Sequence, residues 1–294
     1  SPMAGTQRRG LKYADQFSPG RSREPVAALW RACKKHCASA QSMRPLAIIG
    51  GTGIDDLEGL EVIRDHRIQT PYGEPSRPIQ EGRLGEYTLF FLQRHGSPNA
   101  IPPHRINYRA NLWALKSMEV GGVVAINAVG GITEAMRPGR IVIPHQIIDY
   151  TWGREHTFDE GQEHTLLHID FTEPYEQALR MELLAAANSA TITHEASGVY
   201  GATQGPRLET SAEVQRMARD GCDVVGMTGM PEAALARELG LPYACVCMVV
   251  NPAAGLGDLP LTLTMMQEVL VREAAVVRQL LQQLLQNRPA SSHA

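Results

Sequence analysis

Apolar positions along this chain fall into two patterns, short continuous runs and longer stretches with helical spacing, and the two alternate. PLAIIG (45–50), YTLFFLQRHG (87–96), GVVAINAVGG (122–131) and Tyr243–Val250 are strand-length runs that end at glycine or at a polar residue. Val199–Ala202 and Cys222–Gly226 read as shorter strands, and RIVIPHQIIDY (140–150) as a strand broken at Pro144. Between them, helical periodicity covers Ile106–Val120, Glu173–Ala187, Ser211–Arg219 and Pro231–Leu239, the last two with polar or proline starts. A longer amphipathic segment runs over Thr264–Gln286, after which NRPASSHA frays. Strands followed by helices indicate an α/β domain, in which ligand sites collect at the carboxyl ends of the strands.

Regular patterning begins only at Leu46. Residues 1–42 are basic and punctuated by glycine, serine and proline, and are expected to form a disordered extension, with Ser1 and Pro2 ahead of Met3 read as a remnant of expression. One domain is expected over 43–288, with no linker and no internal repeat, and a frayed tail over 289–294. The formal net charge of -3 gives no support for nucleic-acid binding driven by global charge. Five cysteines form an odd set, suggesting thiols in a reducing compartment; no leader or membrane-length apolar run is visible, so the expectation is a cytoplasmic protein with no membrane partner. Cys33, His36 and Cys37 lack a second pair at zinc spacing, and no metal is expected.

The strand ends carry the candidate chemistry. Gly50, Gly51, Thr52 and Gly53 follow the first strand, and glycine with a threonine hydroxyl can form an anion nest or simply a tight exit. The run is not GxGxxG and lacks a P-loop lysine. Arg94 and His95 end the next strong strand, offering a planar fork and one more donor; Thr228 follows a third. Three such exits favour one phosphate-sized anion pocket. Glu209 precedes a helix, where a carboxylate either complements the helix dipole or accepts a ligand N–H. In MVVNPAAG (248–255), Asn251 follows a buried run, and its amide can donate and accept together, the pattern needed at the edge of a heterocycle. No G-x-S-x-G elbow or defensible triad spacing is present.

Taken in order, GGTGIDDLEGL, TPYGEPS, RHG, NYRANLWALK, NAVGGI, GPRLET and GMTGMPEAALARELGLPYA closely resemble the trimeric purine nucleoside phosphorylase family, and especially its methylthioadenosine phosphorylase branch, over about Leu46–Gln279. The resemblance implies a central mixed, partly barrel-like sheet flanked by helices, and phosphorolysis: phosphate attacks C1′ of a nucleoside and the purine leaves. It implies Thr52, Arg94, His95 and Thr228 as phosphate binders, Asn127 and Ala128 near phosphate and ribose, and Met227 against the sugar. Leu208 stands where many members have an aromatic under the purine. His168 resembles the residue that reaches a neighbouring subunit's sugar pocket in a homotrimer, and Met265, in LTLTMM, the residue closing the 5′ end. Catalytic roles are expected for Glu209, Asn251 and His95, with inorganic phosphate as co-substrate and no cofactor.

The adenosine-type branch resembles Ser-Ser after the GPR turn and Asp-x-Asp after the later strand. This chain instead has Glu209 and Thr210, then Asn251, Pro252 and Ala253, a combination that resembles the 6-oxopurine enzymes. S-methyl-5′-thioinosine is therefore the expected substrate, yielding hypoxanthine and 5-methylthioribose 1-phosphate. The alternatives are inosine or guanosine, then S-methyl-5′-thioadenosine, and, outside catalysis, a nucleotide-binding module.

Overall fold

A computed structural model describes residues 44–54, 57, 59–97, 100–161, 168–257 and 263–288, with the side chains of 263–267 left out. The expected N-terminal extension, the C-terminal tail, and Cys33 and Cys37 lie outside the described residues. Among the described residues there are eleven strands: β1 (Leu46–Gly50), β2 (Glu61–His66), β3 (Ile79–Leu84), β4 (Tyr87–Gln93), β5 (Gly122–Gly131), β6 (Ile141–Val142), β7 (Gln146–Asp149), β8 (His194–Glu195), β9 (Val199–Ala202), β10 (Val224–Gly226) and β11 (Tyr243–Pro252). The helices are α1 (Tyr108–Ser117), α2 (Gln177–Ser189), α3 (Ser211–Arg219), α4 (Gly229–Glu238) and α5 (Leu263–Gln286). The strands form one mixed sheet in the order β2-β3-β4-β1-β5-β10-β9-β7, while β11 pairs with β5 and β6, and β6 with β8. This is a single α/β domain with a central mixed sheet flanked by helices.

The strongest apolar runs became the strands covered on both faces. Side chains alternate along β1: Ala47 and Ile49 join one core with Leu112 and Leu115 of α1 and Leu235 of α4, while Leu46 and Ile48 join a second with Leu183 of α2 and Leu280 and Leu284 of α5. Burial on both sides is why these runs read as continuous rather than alternating. β5 ends at Gly131 as expected, and its last two glycines, Gly130 and Gly131, pair with Val225 and Val224 of β10. A side chain at Gly131 would fall on the Met136 carbonyl.

The β2–β3 hairpin and the two-residue β8 were not expected. In β2 five of the six residues are exposed, and its strand character comes from antiparallel pairing with β3 rather than from an apolar face. Pro144 does break RIVIPHQIIDY, and the two halves take different partners: β6 pairs with β11 and β8, and β7 with β9.

Polar residues set the remaining geometry. Asn107 caps α1 by accepting from Ala110 N at 3.1 Å and donates to the Tyr72 carbonyl at 2.7 Å. Buried Asn111 accepts from Ser76 N at 2.8 Å and donates to its hydroxyl at 3.0 Å. The asparagines of NYRAN thus anchor the TPYGEPS loop to α1. Thr210 and Glu213 form a reciprocal capping box at the start of α3.

Candidate active site

Register brings the strand ends together. β1 lies between β4 and β5 in parallel, with Gly50 opposite Gln93 and Ile49 opposite Ala125, so Gly51–Thr52, Arg94–His95 and Asn127 emerge side by side. Thr228 arrives from β10 and Asn251 from β11, both neighbours of β5. Together with Ala128, Leu208, Glu209, Met227 and Ala253 these residues line one cavity of about 170 Å³. Eleven of the thirteen expected site residues therefore meet in one place. His168 is exposed and does not line the cavity. Met265 falls in the first turn of α5, where side chains lie outside the described residues; Leu270, further along the same helix, does line the cavity.

One end of the cavity is buried and tightly bonded. Arg94 is fully buried; its Nε and Nη2 donate to the two carboxylate oxygens of Glu232, each at 2.8 Å, and Nη1 donates to the Ile126 carbonyl at 2.9 Å. Burial works against the guanidinium's charge, and the Glu232 carboxylate outweighs it, holding Arg94 above its ordinary pKa. Tyr243 donates its hydroxyl to the same carboxylate at 2.8 Å. The glycines of the first turn serve this packing: a side chain at Gly51 would collide with Ile126 O and Arg94 Nη1, and one at Gly50 with Ile54 O and the Phe91 ring. Beside them, Thr228 occupies the N-cap position of α4 without capping it and donates its hydroxyl to Asn127 Oδ1 at 2.9 Å. Asn127 Nδ2 donates in turn to Cys245 Sγ at 2.9 Å. His95 shares a 2.9 Å hydrogen bond through Nδ1 with the Ile101 carbonyl.

The opposite end is more open. Leu208 is 47% exposed and Glu209 half-buried. Glu209 is not the carboxylate that complements the α3 N-terminus; Glu213 fills that role, and Glu209 instead accepts a 2.6 Å hydrogen bond from the Thr203 hydroxyl. Asn251 owes its place to a β-bulge: the β11 register shifts between Val249 and Asn251, leaving Val250 as the extra residue opposite β5. Its Nδ2 donates to the Pro252 carbonyl at 2.6 Å, which uses one of two amide hydrogens.

Two buried residues were missed in the sequence. Glu232 sits inside the helical pattern GMPEAALARE, where the signal was an acidic residue amid apolar ones. Arg154, from TWGRE, ties together the two segments that carry Met227, Thr228 and Glu209. Its Nη1 donates to the carbonyls of Met227 at 2.8 Å and Met230 at 2.6 Å, and its Nη2 to those of Thr203 at 3.1 Å and Gln204 at 2.8 Å. Burial pushes the Cys247 thiol well above its usual range. Among the described residues no three His, Cys, Asp or Glu side chains cluster as a metal site, and no helix is long and apolar enough to cross a membrane.

The cavity groups positions that the motifs had marked separately. The model of the phosphorylase superfamily matches residues 45–286. The chain belongs to this superfamily. It is an enzyme of the phosphorylase type, and its similarity extends to particular members. A probable S-methyl-5′-thioinosine phosphorylase of Pseudomonas syringae pv. tomato is 52% identical over 228 residues, covering 78% of this chain and 93% of that one. A 6-oxopurine nucleoside phosphorylase of Pyrococcus furiosus is 43% identical over 237 residues, covering 79% and 88%. Among solved structures, the methylthioadenosine phosphorylase of Schistosoma mansoni in complex with adenine has a TM-score of 0.78 at 32% identity, covering 82% of this phosphorylase and 90% of its own chain.

Proposed function

We propose that this phosphorylase cleaves S-methyl-5′-thioinosine with inorganic phosphate, giving hypoxanthine and 5-methylthioribose 1-phosphate. The observation that carries the reading is Glu209 and Asn251 lining the same cavity as Arg94, His95, Thr52 and Thr228. Phosphate is held at the buried end, where Arg94 contributes the N–H groups that Glu232 and Ile126 leave over and the Thr228 hydroxyl rotates from Asn127 toward the anion. An anchored phosphate oxygen attacks C1′ as the bond to N9 breaks, and its negative charge stabilises the cationic sugar while the base takes up the bonding electrons. Met227 packs against the sugar and Leu208 gives the base an aliphatic wall. Glu209 accepts the N1–H of the 6-oxopurine, and the second amide hydrogen of Asn251 is donated toward O6 or N7 as charge builds there. Adenine would set its N1 lone pair against the Glu209 carboxylate, a hydrogen-bonding mismatch that discriminates more strongly than a missing methylene.

The relatives named as acting on thioinosine or 6-oxopurine nucleosides are more similar to this chain than the methylthioadenosine phosphorylase is, which supports the oxo over the amino base. The methylthio group is favoured over a 5′ hydroxyl by the thioinosine relatives at 52–54% identity. A homotrimer, in which exposed His168 reaches the neighbouring sugar pocket, and a cytoplasmic location complete the reading. The test is purine release from S-methyl-5′-thioinosine, S-methyl-5′-thioadenosine and inosine, with and without phosphate. Release that persists without phosphate overturns phosphorolysis, and equal efficiency with inosine moves the assignment to a general 6-oxopurine nucleoside phosphorylase.

A further inference from the structure

We infer that Glu232 is a positioning residue for phosphate: it fixes the plane of the Arg94 guanidinium, and Tyr243 fixes Glu232. The inference rests on the reading of Arg94 as a phosphate ligand. Glu232 is fully buried on α4, apart from the strand ends that the motifs mark, and it engages Nε and Nη2 through both carboxylate oxygens at 2.8 Å. A bidentate pair of this kind sets the orientation of both planes, where a single contact would leave the guanidinium free to turn. The Ile126 carbonyl at 2.9 Å removes the remaining rotation. Of the five N–H groups on Arg94, three are directed to the protein, and the geometry decides where the other two point.

The pair also changes what Arg94 supplies. With its charge matched by Glu232 inside the protein, Arg94 offers phosphate directed N–H donors more than net positive charge. Tyr243, itself buried at the start of β11, gives Glu232 Oε1 a second donor at 2.8 Å and so holds the carboxylate. Loss of Glu232 would leave the guanidinium without its partner and free to swing away from the cavity, even though the local positive charge would rise. Charge alone predicts tighter phosphate binding in that variant, and orientation predicts weaker binding.

The experiment measures calorimetric affinity for inorganic phosphate and the KM for phosphate and for nucleoside separately, in the parent, Glu232→Gln, Tyr243→Phe and the double variant Arg94→Met/Glu232→Gln, which leaves no orphaned charge. Expected are a loss of phosphate affinity of about tenfold or more in Glu232→Gln, close to that of the double variant, and a loss of roughly threefold in Tyr243→Phe. The nucleoside KM is expected to stay within about twofold, a split that general loosening of the fold would not produce. Phosphate affinity that is unchanged or tighter in Glu232→Gln, while the double variant loses it, overturns the inference and leaves Arg94 a phosphate ligand. Parent-like affinity in the double variant overturns Arg94 as the ligand and the inference with it. Should Glu232→Gln fail to fold, Tyr243→Phe decides: parent-like phosphate affinity there overturns the inference, and a selective loss sustains it.

Discussion

The two ends of the cavity are built differently. At the end proposed to hold phosphate, Arg94, Asn127, Thr228 and Glu232 are all buried and linked to β5, α4 and β11 by hydrogen bonds between elements far apart in sequence. At the end proposed to hold the base, Glu209 and Asn251 each make one side-chain hydrogen bond near in sequence, to Thr203 and Pro252, and Leu208 is about half exposed. On the proposed reading, phosphate binding rests on the buried core, while the choice of base rests on a loop and a bulge. Low density of restraints is where specificity can be altered at small cost to the fold.

The largest effect should follow from breaking the rigid end. Arg94→Ala is expected to lower kcat/KM for phosphate by about 10²–10³ and to destabilise the fold by roughly 3–5 kcal/mol, because Glu232 is left buried without its partner; steady-state kinetics and chemical denaturation check both. Glu209→Gln at the open end should reduce kcat/KM for the 6-oxopurine nucleoside by about 10- to 100-fold, the worth of a hydrogen bond to a charged group, with little change in denaturation midpoint. Asn251→Asp is expected to move the preference toward the 6-amino nucleoside by roughly tenfold, since a carboxyl there can accept the amino proton or protonate N7. Smallest, Thr203→Val should raise the nucleoside KM by about two- to tenfold through loss of one orienting hydroxyl, while the phosphate KM stays put. If Thr203→Val weakened phosphate as much as nucleoside, the two ends would not be separable.

Legibility in the sequence divided the residues by element, not by end of the cavity. Thr52, Arg94, Thr228 and Asn251 could be found because each follows the end of an apolar strand, and α/β sheets gather ligands there. Glu232 and Arg154 could not be weighed in the same way: one lies inside a helix and the other in a polar loop, and their importance comes from partners such as Arg94 and Thr203 that are distant in sequence. The continuous runs of β1, β4 and β11 declared themselves by burial on both faces, whereas β2, almost wholly exposed, is a strand only through its pairing with β3. The branch of the sheet at β5 depends on which strands choose each other, and hydrophobic patterning carries no record of that choice.

The central claim is that a phosphate-dependent enzyme distinguishes a 6-oxopurine from a 6-aminopurine through Glu209 and Asn251. Its most direct test is the ratio of kcat/KM for S-methyl-5′-thioinosine to that for S-methyl-5′-thioadenosine at saturating phosphate. A ratio above about 100 is expected, as for a site built to hydrogen-bond an N–H that the wrong base lacks. A ratio near one would contradict the account.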